Sequence, residues 1–286
     1  MGILSFLSKT FKYVNDNGQE IVFDYANGFL LNLPDGVDAI SVALSTAQGV
    51  GQTGTTVQSK QIQSRPITVS GKIVGENAQK IKDRLIEVVR ADIGGTLHAD
   101  GWYIPVVVTT TPAIGPDKFG AKFQFGLNAP YPYWISQKER SNMLVGLRPS
   151  FKFPWNISRE YRFGQTLNDR YVIVKNGGQM EIPFSVVIKA NGPAENVMVE
   201  NIITGEFMLL EKSLSDGEAV TIDITHDRTF VTSNKDGDCR GALTLDSNLF
   251  RLHPGDNVLK PTAESGLDNT NIQVTYAEEI GGISVV

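Results

Sequence analysis

The sequence contains very little cysteine or histidine. The single cysteine, Cys239, excludes an intramolecular disulfide and a cysteine-rich zinc site. Its position near a glycine-rich turn indicates a small packed residue rather than a nucleophile. His98, His226 and His253 lie far apart, each beside a turn. They have no metal-ligand spacing, so a metal triad built from them is kept only as an alternative to the expectation of no metal site.

An excess of basic residues is also missing. The 286 residues carry 26 Lys and Arg against 31 Asp and Glu, for a net charge of -5. This balance argues against sequence-specific nucleic-acid binding, which usually requires a basic surface. Residues 1–9 have a short apolar run without a basic segment or cleavage site, and Phe6 stands where a myristoylation signal needs Ser or Thr. We therefore expect no signal peptide, no membrane association and assembly in the cytoplasm.

Motifs for catalysis and cofactor binding are absent from the sequence. It has no phosphate-binding glycine loop, no dinucleotide fingerprint and no Gly-x-Ser-x-Gly elbow. The segment 234–238 (NKDGD) resembles part of a calcium loop, but Leu245 stands where the bidentate glutamate belongs. A turn is the preferred interpretation. We expect no catalytic residues and no cofactor, and we keep a glycoside hydrolase as a distant alternative because its carboxylates can be far apart in sequence.

The chain is predicted to be mainly β, with two domains. Residues 1–135 form an N-terminal sandwich or barrel-like domain, 136–150 form a linker, and 151–286 form a β-sandwich of short strands separated by Gly-containing turns. One amphipathic helix is predicted over about 76–91, because apolar residues recur there at helical spacing. These residues are Ala78, Ile81, Leu85, Val88 and Val89.

A strand followed by prolines marks the end of the first domain. Phe123, Phe125 and Leu127 alternate along one face, and the prolines that follow cannot donate to a ladder. The stiff exit segment predicts a domain junction. Its residues are Pro130, Pro132, Tyr133 and Trp134.

An uncharged segment rich in Gly, Thr and Gln spans residues 45–59. A connection of this length inside a compact domain is uncommon without a function. We predict a loop that orders against a neighbouring subunit; the alternative is a solvated surface loop. The candidate contact residues are Gln48, Gly49, Gly51, Gln52, Gly54, Thr55 and Thr56. Pro105 predicts that its strand lies at a sheet edge or contains a bulge, and adds a second candidate interface.

The order of these segments resembles the distal tail protein family of long-tailed phages of Gram-positive bacteria. The family resemblance in the first half rests on the strand 65–75, the helix with the following Gly95-Thr-Leu97, and the APYPYW ending at Trp134. In the second half it rests on NGG at 176–178, on 201–206, on 217–223, and on 249–257. Tyr131 and Ala190 depart from the usual family pattern without affecting a chemical group.

The resemblance implies a galectin-like fold for the second domain and a structural role at the virion tail tip. Distal tail proteins form a homo-hexameric ring between the tail tube protein and the tail-tip hub, carry receptor-binding or baseplate proteins, and let DNA pass through a central channel. The alternative function is a carbohydrate-binding adhesin, in which an aromatic side chain stacks under a sugar. Trp155 and Tyr161 are the candidate platforms.

Overall fold

The computed structural model describes residues 10–75, 77–117, 120–149, 164–167 and 171–284. Within these ranges the chain consists of antiparallel strands and one α-helix, which confirms the predicted mainly-β class. The chain divides into two compact units. The first unit is Met1–Gln137 together with Glu279–Val286, and the second unit is Lys138–Glu278.

The strands are numbered in chain order. The first unit begins with β1 (Phe11–Asn15), β2 (Glu20–Phe23), β3 (Phe29–Leu31), β4 (Val42–Ala47), β5 (Thr56–Ile62) and β6 (Arg65–Ile73). Helix α1 (Ala78–Val88) is followed by β7 (Gly94–Ala99), β8 (Trp102–Asp117), β9 (Gly120–Ala129) and β10 (Trp134–Ser136). The second unit contains β11 (Arg140–Pro149), β12 (Gly164–Leu167), β13 (Val172–Asn176), β14 (Ser185–Ala190), β15 (Ala194–Asn201), β16 (Glu206–Leu214), β17 (Ala219–Ile224), β18 (Thr229–Ser233), β19 (Gly237–Asp238), β20 (Gly255–Ser265) and β21 (Thr270–Tyr276). The last strand, β22 (Glu279–Ile280), returns to the first unit.

The first unit is organised around one large antiparallel sheet. Its order is β2-β1-β7-β8-β9-β6-β3, with β10 beside β8 and β22 beside β10. Every second residue of β9 from Ala121 to Ala129 is buried, as expected for a strand with one face on a core. Neighbouring rings of a phenylalanine cluster in this core have centroids 5.2 to 6.3 Å apart. The cluster consists of Phe23, Phe29, Phe123 and Phe125.

Helix α1 presents the predicted apolar stripe to this core. Leu85 and Val88 are buried, and Ala78 and Ile81 pack against the core while partly exposed. The helix is shorter than predicted because Val89 leaves helical geometry, with ψ of 87°, while its N–H still donates to the Leu85 carbonyl. The prediction of one amphipathic helix in this region is confirmed.

The expectation that the strand of Pro105 lies at a sheet edge or contains a bulge holds for the bulge, because the register of β8 with β9 shifts between Val108 and Thr110 and again before Ala113. Pro105 lies in β8, an interior strand, opposite Thr96 of β7. Proline is tolerated there because β8 changes partner on its other side, from β10 at Tyr103 to β9 at Val107. The linker prediction was wrong. The predicted linker over 136–150 is largely strand β11, which pairs with β21 inside the second unit. A polar sequence with weak periodicity concealed this strand.

The second unit is a two-sheet sandwich. One sheet has the order β12-β11-β21-β14-β17-β18-β19, and the other has the order β13-β20-β15-β16. Val186 and Ile222 of the first sheet share one core with Val199 and Leu259 of the second. The Gly-containing turns predicted from the sequence connect these strands; Gly205 and Gly217, for example, have φ of 74°. The predicted sandwich is confirmed.

A buried carboxylate joins two turns of the second unit. Glu218 is 3% exposed and accepts hydrogen bonds from Lys212 Nζ at 3.1 Å, Ser233 Oγ at 3.1 Å and the Ser215 N–H at 3.2 Å. Burial alone would raise the pKa of Glu218, but the hydrogen bonds from Lys212, Ser215 and Ser233 hold it below its ordinary value. The ionised carboxylate is therefore part of the folded structure.

Candidate assembly interface

The segment predicted as a loop is a β-hairpin. Strands β4 and β5 form a separate two-stranded sheet, in which Val42 pairs with Ile62 and Leu44 pairs with Lys60. The prediction of a loop through 45–59 was wrong, because Ser45–Ala47 and Thr56–Ser59 belong to these strands. Their hydroxyl and amide side chains hid the strand pattern, although the alternation of Val42 and Leu44 was a usable signal.

Both faces of the hairpin are exposed. Every residue of the two strands is exposed except Ala47, which is partly buried. Four apolar side chains stand 45 to 55% exposed: Val42, Leu44, Val57 and Ile62. An isolated two-stranded hairpin is marginally stable in water, and clustered exposed apolar residues mark interaction surfaces. The hairpin therefore has the properties of an element that packs on another chain.

The predicted contact residues lie together at the hairpin tip. The Gly49 N–H donates to Gln52 Oε1 at 2.9 Å, Gln48 Nε2 donates to the Gln52 carbonyl at 3.1 Å, and Gln52 Nε2 donates to Thr56 Oγ1 at 2.9 Å. Gly51 and Gly54 have φ of 78° and 82°, which other residues adopt only with strain. Thr55 completes the tip and Thr56 begins β5. The tip is thus shaped by its own hydrogen bonds.

Arg65 fixes the chain just beyond the hairpin. This side chain, 2% exposed, donates from Nη1 to the Val37 carbonyl at 2.8 Å and from Nη2 to the Gly281 carbonyl. Burial lowers the pKa of Arg65, and the charge of Asp38 opposes that shift. The hairpin base is closed by the Gln63 N–H, which donates to the Ser41 carbonyl at 2.9 Å. Sequence analysis assigned no role to Arg65; its place among the alternating apolar residues of β6 was the available signal.

The C-terminal residues also contact the Val37 carbonyl. The Val37 carbonyl also accepts hydrogen bonds from Trp134 Nε1 at 3.0 Å and from the Ile283 N–H at 3.3 Å. A Cβ on Gly282 would lie 2.0 Å from the Asp38 carbonyl oxygen, so only glycine fits. The segment around Val37 and Asp38, which leads to the hairpin, is therefore held by contacts with β6, β10 and the C-terminal residues.

The predicted junction residues lie near the end of the segment Met1–Gln137, the longer of the two segments that make up the first unit. Pro130 is exposed, whereas Pro132, Tyr133 and Trp134 are buried. The preceding Tyr131 donates from its hydroxyl to the buried carboxylate of Glu279. The motif lies a few residues before the boundary at Gln137 and anchors the chain in the first unit's core.

The described residues contain no arrangement typical of a catalytic or metal site. No group of three or more His, Cys, Asp or Glu side chains among them is placed to hold a metal ion. His98 contacts Thr96 and Gln137, and His253 contacts Glu181 and Glu206. Burial raises the pKa of Cys239, which disfavours a reactive thiolate. Residues 234–236 form the turn between β18 and β19, and Gly237–Asp238 are β19, in agreement with the preferred interpretation of a turn.

Two further expectations concern sugars and membranes. Trp155 and Tyr161, the candidate sugar platforms, lie outside the described residues, so the adhesin alternative stays a prediction. In the part of the chain that the structure describes, no helix combines the length and apolar character needed to span a bilayer.

A sequence comparison matches most of the second unit to a known family. Residues 177–279 match the family model described as siphovirus-type tail component, C-terminal domain. Over these residues the second unit is similar to the C-terminal domain of siphovirus-type tail components. This match confirms the resemblance stated from the sequence. No curated protein sequence matches the chain.

The fold comparison extends over almost the whole chain. The Dit protein of phage SPP1, described as a paradigm of the hub adsorption apparatus in phages that infect Gram-positive bacteria, matches with a TM-score of 0.70 at 14% identity. The match covers 94% of this chain and 98% of that one. Chains of the phage P2 baseplate in its activated conformation, with Ca and with Sr, match with TM-scores of 0.52 and 0.51 at 12% and 13% identity. Each covers 96% of this chain and 99% of its own.

Proposed function

We propose that this chain is a structural component of a phage tail tip or baseplate. Six copies form a ring that joins the tail tube protein to the tail-tip hub and serves as a platform for receptor-binding or baseplate proteins. The observation that carries the proposal is the shared fold with SPP1 Dit, which extends over both units. The matching family is one of structural tail components, and the proposed role requires neither catalysis nor a cofactor.

The hairpin β4–β5 is the element of the first unit best suited to close the ring. A ring needs a heterologous contact, in which one surface of a subunit meets a different surface of the next. The apolar side chains at positions 42, 44 and 62 would lose water in such a contact, and the tip residues 48–56 would supply hydrogen bonds. The contacts at Val37 and Arg65 would hold the hairpin in a fixed orientation for this purpose.

The acidic net charge agrees with a channel through which DNA passes without binding. A surface with few unpaired cations releases few counterions from phosphates and so binds DNA weakly. The protein would reach the virion tail tip by assembly in the host cytoplasm, together with the tube and hub proteins.

Gold labelling of particles tests the proposal. An antibody raised against the purified chain is applied to tailed particles from the organism that encodes it, and the gold is located by electron microscopy. The expected result is gold at the tail end distal to the capsid, absent from particles made without this gene. Gold along the tube or on the capsid would contradict the proposed location.

A further inference from the structure

A groove lies between β2 and helix α1 on the first unit, away from the hairpin residues. Its volume is about 350 Å³. Ile21 and Phe29, both buried, and the partly buried Ile81 give it an apolar floor. The rim is polar. The rim residues that matter for binding are Glu20, Val22, Lys80 and Arg84.

One wall of the groove is an open strand edge. The Asn15 N–H donates to the Gln19 carbonyl at 2.9 Å, which makes these two residues a hydrogen-bonded pair of the β1–β2 ladder. Hydrogen-bonded pairs alternate along an antiparallel ladder, so the next such pair is Tyr13 with Ile21. The main-chain groups of Glu20 and Val22 consequently point away from β1. Strand β2 ends the sheet order, and within the described part of the chain no hydrogen bond reaches these groups. An exposed edge of this kind accepts a further strand.

The rim charges favour an acidic occupant. Lys80 is exposed and has no ion-pair partner among the described residues. Arg84 pairs with Glu87 at 3.2 Å, and Glu20 pairs with Lys12 at 3.2 Å. The charge left uncompensated beside the groove is therefore positive. The chain's own residues 1–9 (MGILSFLSK) contain no side-chain carboxylate to complement it.

We propose that this groove binds an extended, acidic segment of a partner protein, which adds a strand to the free edge of β2. Main-chain hydrogen bonds to Glu20 and Val22 supply affinity, an apolar side chain packs on Ile21 and Phe29, and a carboxylate pairs with Lys80. The proposal does not depend on ring formation, since the groove lies within a single subunit.

Fluorescence anisotropy with the full chain tests the charge requirement. The probe is a labelled, acetylated eight-residue peptide of alternating valine and aspartate. The control is a peptide of the same length with lysine in place of aspartate. We expect saturable binding of the acidic peptide that weakens about tenfold in Lys80→Glu, because attraction becomes repulsion. Lys82→Glu, the same charge change on α1 outside the groove, should leave binding unchanged. Equal losses in both variants, or preference for the basic peptide, would overturn the proposal.

A proline substitution tests strand addition. Val22→Pro removes an N–H that points away from β1, so it costs no bond of the existing sheet. We expect it to abolish peptide binding while the melting temperature stays close to that of wild type. Binding by Val22→Pro equal to wild type would show that no strand is added. Binding seen only after removal of residues 1–9 would mean that the chain's own N-terminal segment fills the groove, which also overturns the proposal.

Discussion

Arg65 illustrates what a single buried side chain does in this protein. A buried guanidinium is costly unless its donors are paired. Here peptide carbonyls 28 and 216 residues away in sequence pair Nη1 and Nη2, while Nε has no hydrogen-bond partner among the described residues. Nothing in the local sequence of β6 indicates these partners. The alternating pattern predicted the strand correctly, but the role of its first residue depends on contacts that only the folded chain brings together.

The residue with the clearest stability role is Leu85, which is fully buried on α1. Leu85→Ala should lower the free energy of unfolding by about 3 kcal/mol, since it leaves a cavity in the first unit's core. Ile86→Ala is the matched control, because Ile86 is 55% exposed on the same helix, and it should change stability by less than about 0.5 kcal/mol. Denaturant unfolding monitored by circular dichroism measures both. Equal effects would show that the apolar stripe does not face the core.

Glu218 makes the second unit sensitive to acid. Its pKa is lowered in the folded state, so its contribution to stability is present above the pKa of the unfolded chain and is lost as pH falls through the folded pKa. Glu218→Gln should therefore be less stable than wild type at pH 7, and the difference should shrink below about pH 4. Thermal melts from pH 3 to pH 7 measure it. A difference that stays constant over this range would contradict the assigned ionisation.

At the scale of elements, the hairpin β4–β5 was the main discrepancy between sequence and structure. The sequence predicted a loop over residues 45–59, because strand propensity was judged from apolar alternation and Thr56–Ile62 has little of it. The assembly role of this segment stays a prediction. The pairing of β5 with β4 satisfies backbone hydrogen bonds of both strands, although neither face of the hairpin is buried. A strand without a buried face lacks the alternation of apolar and polar residues from which strands are predicted.

The hairpin should matter for assembly and little for folding. Leu44→Ser should leave the melting temperature within about 2 °C of wild type, because Leu44 is largely exposed, and should reduce the population of oligomer. Leu245→Ser, at a fully exposed leucine of the second unit, is the control and should not affect assembly. Calorimetry and sedimentation velocity on the same samples give the two readings. Normal oligomers from Leu44→Ser would argue that this face of the hairpin is not an interface.

The C-terminal strand should stabilise the first unit rather than the second. Removing residues 279–286 takes away β22, the buried Ile283 and the Arg65 contact at Gly281. We expect the first unit to melt about 10 °C lower, and β10 and the segment near Val37 to exchange amide hydrogens faster. Hydrogen-exchange mass spectrometry resolves the two units. Faster exchange confined to residues 138–278 would contradict this assignment.

At the scale of the whole molecule, the two-part β organisation followed from turn spacing and from the proline-rich end of β9. The boundary inside the chain was placed by the same motif, near the observed break after Gln137. The return of the C-terminus to the first unit could not be predicted. Glu279–Ile280 is too short to carry a periodic signal, and it pairs with Trp134 and Ile135 of β10, far away in sequence. A unit built from two segments that are distant in sequence cannot be recognised from local sequence patterns.

The mass of the full chain in solution tests the central claim most directly. Light scattering coupled to size exclusion, at protein concentrations up to about those of assembly, should show a species of six times the 31.3 kDa chain mass, in equilibrium with smaller species on dilution. Electron micrographs of that fraction should show closed rings with a central channel. A single 31.3 kDa species at every concentration would contradict the ring.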